Sequence, residues 1–202
     1  MTTRWCTSGA PTTNSVEGNP AGSNSAAGET SAAARVLSTG RLVLRPHTLA
    51  DFGDSAAMWG DGQVTRFIGG RPFTPEEVWA RLLRYAGHWA LLGYGYWVVR
   101  EQATGAFVGE VGYADFRRDV TPPLDAPEMG WVLSPAQQGR GYATEALQAA
   151  LAWGARHFGH TRAVCLIAPE NAASLRVAGR NGFQQTGERV LHGEPVLLLG
   201  HP

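Results

Sequence analysis

The stretch PAQQGRGYATEAL, residues 135 to 147, constrains the fold most, because it marks a tight turn between a strand and a helix. The run Glu128–Leu133 before it has the composition of a strand, and a helical pattern follows from about Tyr142 to Phe158. Gly139 and Gly141 let the backbone adopt positive φ and approach a ligand closely. The first N–H groups of a helix lack internal partners, so the turn predicts a site for an anion such as a pyrophosphate.

Two common phosphate-binding loops do not match this turn. A Walker A loop requires Gly-Lys followed by Ser or Thr, and no lysine lies near it. The dinucleotide-binding fingerprint requires a third glycine where this sequence has Thr144. A nucleotide-dependent kinase or phosphatase is further disfavoured because the sequence has no acidic cluster of the kind that binds metal. A plain tight turn is the remaining structural interpretation.

Composition narrows the class of protein. The chain has 202 residues, of which 44% are hydrophobic and 17% charged, which suits one sizeable core. Its formal net charge of +0 favours neither nucleic acid nor an anionic membrane surface as a partner. Cys6 and Cys165 lie far apart and form no Cys/His cluster, so we expect no disulfide framework and no metal site. With no apolar run of membrane-spanning length, we expect a cytoplasmic protein.

Residues 1–36 are predicted to be a disordered, low-complexity tail, and residues 37–202 a single folded domain. The tail consists largely of Ser, Thr, Ala, Gly, Asn and Pro, and Trp5 is its main large apolar residue. Such a segment buries too little surface to offset the entropy lost on ordering. A transit peptide is disfavoured by Glu17 and Glu29, and a translation start further along the chain is the other interpretation.

Strand and helix patterns mix in the domain without strict alternation, which predicts an α+β or mixed α/β fold. One helix has a clear start, with Thr74 as the cap, Pro75 in the first position and Glu77 closing a capping box. The predicted strands cover residues 41–46, 96–100, 107–116, 128–133 and 163–168 and a terminal pair within 185–199, and the predicted helices cover about 48–60, 74–93, 142–158 and 172–181.

The residues from Gln138 to Ala143 fit the pattern Gln/Arg-x-x-Gly-x-Gly/Ala, which resembles the acyl-CoA pyrophosphate loop of the GNAT N-acetyltransferases. Three further segments resemble the RimJ/RimL-like branch of that superfamily, which includes ribosomal-protein N-terminal acetyltransferases. These segments are TGRLVLRP at residues 39–46, EMGWVL at 128–133, and PENAAS at 169–174 with a following Gly182-Phe183. The resemblance extends from about Thr39 to Val196.

The resemblance implies a central, mostly antiparallel twisted sheet with a splayed parallel strand pair, flanked by helices. It also implies acetyl-CoA as cosubstrate, held between the splayed strands, with no metal. The implied contacts to acetyl-CoA are Trp131, Val132 and Leu133 on the strand, Gln138, Gly139, Arg140, Gly141, Tyr142, Ala143 and Thr144 in the loop, and Asn171 further along.

For the general base, the resemblance points to Glu128, because a glutamate in a similar place serves as the base in some histone acetyltransferases of the superfamily. A carboxylate in a half-buried cleft tends towards a raised pKa, which suits proton removal near neutral pH. A contact with the substrate ammonium group, or a plain charge at the rim, is the alternative for Glu128. Glu110 and Asp115 on the preceding strand are rival candidates.

For the general acid, many GNAT enzymes use a tyrosine seven residues after the motif asparagine, but that position is Ala178 here. In the RimJ/RimL-like branch a serine three residues after the asparagine has this role, which implies Ser174. A local bond from this serine to the backbone is the structural alternative. His192, in the turn between the terminal strands, resembles an acceptor-side residue of the branch.

The resemblance therefore implies direct acetyl transfer to a primary amine in a ternary complex. The acceptor is a protein N-terminus, an amino acid or a small-molecule amine, and nothing in the sequence selects among them. The protein is expected to act as a monomer or a homodimer. A non-catalytic acyl-CoA-binding or regulatory domain is the alternative, and the missing tyrosine is the feature that supports it.

Overall fold

A computed structural model of the protein describes residues 35–202 as one mixed sheet with flanking helices. The strands are β1 (Leu37–Ser38), β2 (Leu42–Pro46), β3 (Tyr96–Glu101), β4 (Phe107–Ala114), β5 (Glu128–Leu133), β6 (Ala163–Ile167), β7 (Gln184–Leu191) and β8 (Glu194–His201). The helices are α1 (Phe52–Trp59), α2 (Gly62–Thr65), α3 (Pro75–Leu91), α4 (Tyr142–Phe158) and α5 (Ala172–Arg180). The predicted tail over 1–36 lies outside the described residues, apart from Arg35 and Val36.

The sheet has the order β1-β2-β3-β4-β5-β6-β8-β7, and within residues 35–202 every neighbouring pair except β5 and β6 is antiparallel. Helix α4 is the crossover that joins β5 to the parallel strand β6, since parallel neighbours need a connection of this length. The α+β class and the mostly antiparallel sheet predicted from the sequence are thereby confirmed.

The parallel pair is splayed, as the sequence predicts. β5 pairs with β4 along its whole length, from Glu128 opposite Ala114 to Leu133 opposite Gly109. Against β6 it has one registered pair, Glu128 with Val164, supported by the bond from the Val164 N–H to the Pro127 carbonyl at 3.1 Å. Beyond this point β5 and β6 separate and leave an opening beside the second half of β5.

Two hydrophobic clusters cover the two faces of the sheet. Because successive strand residues point to opposite faces, Met129 and Val132 of β5 belong to different clusters. On one face, Trp153 of α4 packs edge-on against Trp97 and Trp89 with ring centroids 5.0 and 5.6 Å apart. On the other face, α1, α2 and α3 contribute Met58, Trp59, Val64 and Val78. Hydrophobic side chains therefore cover both faces of the sheet. Strand alternation determines which of the two clusters each residue of β5 joins.

Helix starts agree with the sequence where capping patterns are strong. Thr74 accepts from the Glu77 N–H at 3.3 Å, and Glu77 accepts from the Thr74 N–H at 2.8 Å, so the predicted capping box begins α3. Helix α2 was not predicted, because the segment after Asp61 looks like a loop, although Asp61 caps it by accepting from the Gln63 N–H at 2.7 Å. The predicted strand 107–116 ends earlier, at Ala114.

None of the helices in the described part of the chain is long and apolar enough to cross a membrane.

Candidate active site

A cleft of about 420 Å³ lies where the end of β5, the start of α4 and one face of α5 meet. Ten of the eleven cofactor-binding residues predicted from the sequence line it, and so does Ser174. The ten are Trp131, Val132, Leu133, Gln138, Gly139, Gly141, Tyr142, Ala143, Thr144 and Asn171. Arg140, Glu128 and His192 do not line this cleft. We call it the donor cleft.

The backbone of the glycine loop offers several uncommitted donors to the donor cleft. Gly139 and Gly141 have φ of 76° and 80°, and Gly141 is the residue that precedes α4. Within residues 35–202, none of the N–H groups of residues 139–144 donates to a backbone carbonyl, and the first to do so is that of Glu145, to Gly141 at 3.2 Å. Free N–H groups at the start of a helix form a site for an anion.

Arg41 of β2 holds this loop in place from outside the donor cleft. Its Nε donates to Glu145 Oε2 at 2.7 Å, its Nη1 donates to the Arg140 carbonyl at 3.0 Å, and its guanidinium lies 4.6 Å from the centre of the Tyr142 ring. Although burial acts to raise the pKa of the Glu145 carboxyl, hydrogen bonds from Thr39 and Arg41 lower it overall. The loop and the first turn of α4 are thus fixed to the edge of the sheet.

The Arg140 side chain points to the outer rim. Its Nη1 donates to Gln137 Oε1 at 2.7 Å and its Nη2 to Glu101 Oε1 at 3.3 Å, and its guanidinium lies 4.8 Å from the centre of the Tyr142 ring. The Tyr142 hydroxyl donates to the same Glu101 oxygen at 2.5 Å. The guanidinium is therefore engaged with the protein, and only the backbone of Arg140 belongs to the set of uncommitted donors.

Asn171 and Ser174 begin α5 at the donor cleft. The Asn171 side-chain oxygen accepts from the Ser174 N–H at 3.1 Å, so Asn171 caps the helix as its sequence position predicts. The Ser174 hydroxyl makes no hydrogen bond with any residue in the range 35–202, which differs from the local backbone bond considered as its alternative. Ala178, where many GNAT enzymes have tyrosine, is 0% exposed and lies in the core.

Glu128 lines a second cleft, of about 460 Å³, together with Tyr94, Asp115, Phe116 and Arg118 among others. We call it the Glu128 cleft. Glu128 is 7% exposed, and its carboxylate accepts two hydrogen bonds from Arg118, from Nε at 2.8 Å and Nη2 at 2.7 Å. It was expected in a half-buried position; it is instead buried and paired. The two predicted catalytic residues thus line different clefts, with Glu128 at the point where β5 and β6 still pair.

The rival bases have their own partners. Glu110 is 1% exposed and accepts from Ser55 Oγ at 2.8 Å and from Trp59 Nε1 at 3.0 Å, and His47 Nε2 lies 3.4 Å away. Burial acts to raise the pKa of Glu110, but the neighbouring His47 and the two hydrogen bonds lower it overall. A carboxylate with these partners joins α1 to the sheet. Asp115 lines the Glu128 cleft and pairs with Arg117 at 3.0 Å.

His192 lies at the tip of the turn between β7 and β8, with φ of 53°. It is exposed and lines neither the donor cleft nor the Glu128 cleft. Its predicted role on the acceptor side therefore stays a prediction. Within residues 35–202 no group of three or more His, Cys, Asp or Glu side chains is placed to hold a metal ion.

Eight residues of the donor cleft were missed by sequence reasoning. They are Gln63, Val64, Phe67 and Ile68 in and after α2, and Ala173, Arg176, Val177 and Arg180 on α5. Nothing in the sequence indicates that the residues in and after α2 line the cleft, because their approach to β5 depends on tertiary packing. The two arginines could have been identified, because residues four apart on a predicted helix lie on the same face.

Comparison with known proteins identifies the family that the chain resembles. The family described as the acetyltransferase (GNAT) domain matches residues 41–184. The uncharacterized N-acetyltransferase YnaD from Bacillus subtilis (strain 168) is 27% identical over 151 residues, covering 75% of this chain and 84% of YnaD. A solved structure from Bordetella pertussis, assigned to the same acetyltransferase family, is 38% identical with a TM-score of 0.73 and covers 83% of this chain and 99% of its own.

A more distant solved structure shares the fold. RimL, a ribosomal L7/L12 alpha-N-protein acetyltransferase solved in complex with coenzyme A, superposes with a TM-score of 0.67 over 82% of this chain and 97% of RimL. Its sequence is 20% identical, so the likeness is one of fold. The family match covers most of the chain and the site has the expected loop, so the protein belongs to the GNAT family of acetyltransferases.

Proposed function

We propose that the protein transfers the acetyl group of acetyl-CoA directly to a primary amine, with donor and acceptor bound at the same time. The observation that carries this proposal is the donor cleft, in which the open side of β5 adjoins the uncommitted N–H groups of residues 139–144. The slender pantetheine suits strand backbone that lacks a partner, and the pyrophosphate suits free N–H donors at the start of a helix.

In this proposal the backbone of Trp131, Val132 and Leu133 holds the pantetheine, the glycine loop holds the pyrophosphate, and Asn171 contacts the donor beside its capping role. Acetyl-CoA supplies an activated acetyl thioester. The Arg140 backbone belongs to the loop that holds the pyrophosphate, while its side chain donates hydrogen bonds to Gln137 and Glu101. The protein therefore positions the donor chiefly through main-chain groups.

Ser174 is proposed to protonate the departing thiolate. When the neutral amine attacks the thioester carbonyl, a C–N bond forms and the C–S bond breaks. The sulfur leaves with an electron pair and takes the serine proton, and the product nitrogen gives up its extra proton, which restores the serine hydroxyl. The Ser174 hydroxyl lines the donor cleft without a partner in the described part of the chain, so it is free to donate. Ala178, buried in the core, offers no such group.

Glu128 is proposed to take the proton that the acceptor ammonium must lose. Its carboxylate lies at the junction of β5 and β6, three residues before the strand segment that lines the donor cleft. Arg118 occupies both carboxylate oxygens, so proton transfer requires that one of these bonds lengthens or that a water mediates. The acceptor would then approach from the Glu128 cleft, where Tyr94 and Phe116 supply aromatic surface.

Donor binding is tested first by thermal unfolding with acetyl-CoA and with CoA. A ligand at one hundred times its Kd that binds only the folded state stabilises it by about 2.7 kcal/mol. For a domain of this size that corresponds to a rise in Tm of roughly 5 to 10 °C. The absence of a shift with both ligands would refute the proposal and the non-catalytic alternative together.

Catalysis is tested by release of free CoA thiol with a panel of acceptors that covers peptide N-termini, amino acids and polyamines, followed by product mass. A thermal shift with no thiol release from any amine would favour the non-catalytic acyl-CoA-binding domain. The chain contains no lysine, because all 17 of its basic residues are arginine. Acetylation of the enzyme's own lysine side chains therefore contributes no background to the thiol release.

A further inference from the structure

Helix α5 presents two arginines to the donor cleft. Arg176 and Arg180 both line it, and both are exposed. They are four residues apart, so they lie on one face of the helix about 6 Å apart along its axis. Neither forms an ion pair or a hydrogen bond with any residue between 35 and 202, in contrast to Arg41, which is bound to Glu145.

These two arginines set the charge of the donor cleft. Among the described residues that line it, they are the only ones with a formal charge, and none is Asp or Glu. The protein as a whole has a formal net charge of +0, so this cleft is a local concentration of positive charge. Unpaired guanidinium groups beside a set of free N–H donors predict a ligand with more than one anionic group.

In the proposed function the glycine loop binds one anionic group of acetyl-CoA, the pyrophosphate. The phosphate on the 3′ position of the ribose still needs a binding partner. Ser174 lies near the start of α5 and Arg180 is its last residue, six positions on, which is about 9 Å along the helix axis. A donor whose thioester lies near Ser174 would have its more distant phosphates towards the end of α5 that carries Arg180.

We propose that Arg176 and Arg180 bind the 3′-phosphate of the donor and make the enzyme select acetyl-CoA over 3′-dephospho-acetyl-CoA. This inference rests on the proposed function, in which acetyl-CoA occupies the donor cleft. A planar guanidinium group matches the geometry of phosphate oxygens and forms charge-assisted hydrogen bonds with them. The helix thus carries the acid for the reaction at one end and the recognition of the cosubstrate at the other.

The test compares Kd values for acetyl-CoA and 3′-dephospho-acetyl-CoA by calorimetry. The wild-type protein is expected to bind the dephospho donor about tenfold more weakly, the size expected for a few charge-assisted hydrogen bonds at an exposed site. The double variant Arg176→Ala/Arg180→Ala should bind both donors with the weaker affinity and no longer distinguish them. Arg156→Ala, an exposed arginine of α4 outside the donor cleft, is the matched control and should behave as wild type.

The affinities of adenosine 3′,5′-bisphosphate and adenosine 5′-phosphate, measured by competition with acetyl-CoA, repeat the comparison without the pantetheine. The unliganded double variant should keep the wild-type Tm because both side chains are exposed; if it does not, Arg176→Gln/Arg180→Gln replaces it. Equal loss of affinity for both donors in the variant would overturn the inference. A wild-type protein that binds both donors equally would overturn it too while leaving the proposed function intact, whereas failure to bind either donor refutes the proposed function itself.

Discussion

Arg41 and Glu145 join β2 to the first turn of α4 across 104 residues of sequence, with Arg41 Nε and Nη2 at 2.7 and 2.6 Å from Glu145 Oε2. The same guanidinium donates to the carbonyl of Arg140 in the glycine loop. Arg41 does not line the donor cleft, so it acts on the loop by fixing its backbone. The shape of the anion site depends on a residue outside it.

Arg41→Ala is expected to weaken acetyl-CoA binding several-fold, because the loop loses two supports, while the free energy of unfolding falls by only about 0.5 kcal/mol, as for a partly exposed ion pair. Calorimetry and thermal unfolding measure the two effects. Arg71→Ala is the matched control, since it removes an exposed Arg–Glu pair with Glu77 at the start of α3. Equal donor affinities of the two variants would contradict a role of Arg41 in holding the loop.

Gly141→Ala tests the conformation of the loop. At φ of 80° a residue with a side chain is strained by roughly 1 to 2 kcal/mol, and of residues 35–202 a Cβ there would meet only Arg41 Nη2, at 3.5 Å. We therefore expect lower stability and a smaller thermal shift with acetyl-CoA, caused by backbone strain more than by lack of space. Gly40→Ala is the control, because its Cβ would have no neighbour within 4 Å and its φ is outside the left-handed region. Unchanged donor binding in Gly141→Ala would count against the loop as the anion site.

Ser174→Ala should lower kcat about a hundredfold, in the range for loss of a general acid, and should leave the acetyl-CoA thermal shift unchanged. The helix cap survives this change, because Asn171 accepts from the backbone N–H of Ser174 and not from its hydroxyl. Steady-state thiol release at saturating donor measures the effect. Ser134→Ala, adjacent to the donor cleft but outside its lining, controls for general disturbance of this region. A Ser174→Ala enzyme with wild-type kcat would remove the serine from the mechanism.

Glu128→Gln should also lower kcat about a hundredfold while donor binding persists, because the amide cannot take up the acceptor proton. The change also removes the buried charge of a pair whose other member, Arg118, is partly exposed, so the unfolding free energy should fall by roughly 1 to 3 kcal/mol. Rates are therefore measured well below the new Tm. Glu110→Gln is the comparison, since it also alters a buried carboxylate, one bound to α1: it should lose stability and keep kcat. If both variants lose kcat equally, Glu128 has no specific role.

Acid should destabilise the protein through Asp51. Burial acts to raise the pKa of this carboxyl, but hydrogen bonds from Arg45, Arg100 and Thr48 hold it well below its usual range. Because the folded pKa is the lower one, the stabilisation is complete above the unfolded value of about 4 and is lost as the pH falls below it. Urea unfolding at about pH 7 and about pH 3 measures the loss, and Asp51→Asn should make it smaller.

Asp54→Asn is the control for this pH dependence. Asp54 binds the same Arg100 at 2.7 Å, but its side chain is 45% exposed, so its removal should change stability little. An identical acid dependence in the wild type and in Asp51→Asn would show that other carboxylates control acid unfolding, with Glu110 the next to test, because its pKa is lowered as well.

Local patterns predicted the parts of the structure that depend on neighbours in sequence. The capping box of Thr74 and Glu77, the left-handed Gly141 before α4 and the Asn171 cap of α5 each involve residues within a few positions of one another. Such features are set by hydrogen bonds within one turn of the chain, so the sequence alone determines them. The conformation of the glycine loop and the cap of α5 could be predicted for this reason.

Features that depend on distant contacts could not be predicted. Nothing in the loop itself indicates that the Arg140 guanidinium turns to Glu101, which is 39 residues away in sequence. The separation of Glu128 from Ser174 into two clefts depends on where β5 and β6 part, and on Arg118 reaching back to the start of β5. Strand alternation indicates which face a residue occupies but not which partner it meets there.

The gap between β5 and β6 has a consequence for protection of the backbone from solvent. Main-chain groups of Trp131, Val132 and Leu133 that face β6 have no registered partner there, whereas those that face β4 do. A bound donor lying along β5 would take the place of a missing strand. Amide hydrogens on the β6 side should therefore exchange rapidly with deuterated water in the free protein and slowly in the complex, so that the cosubstrate completes the sheet.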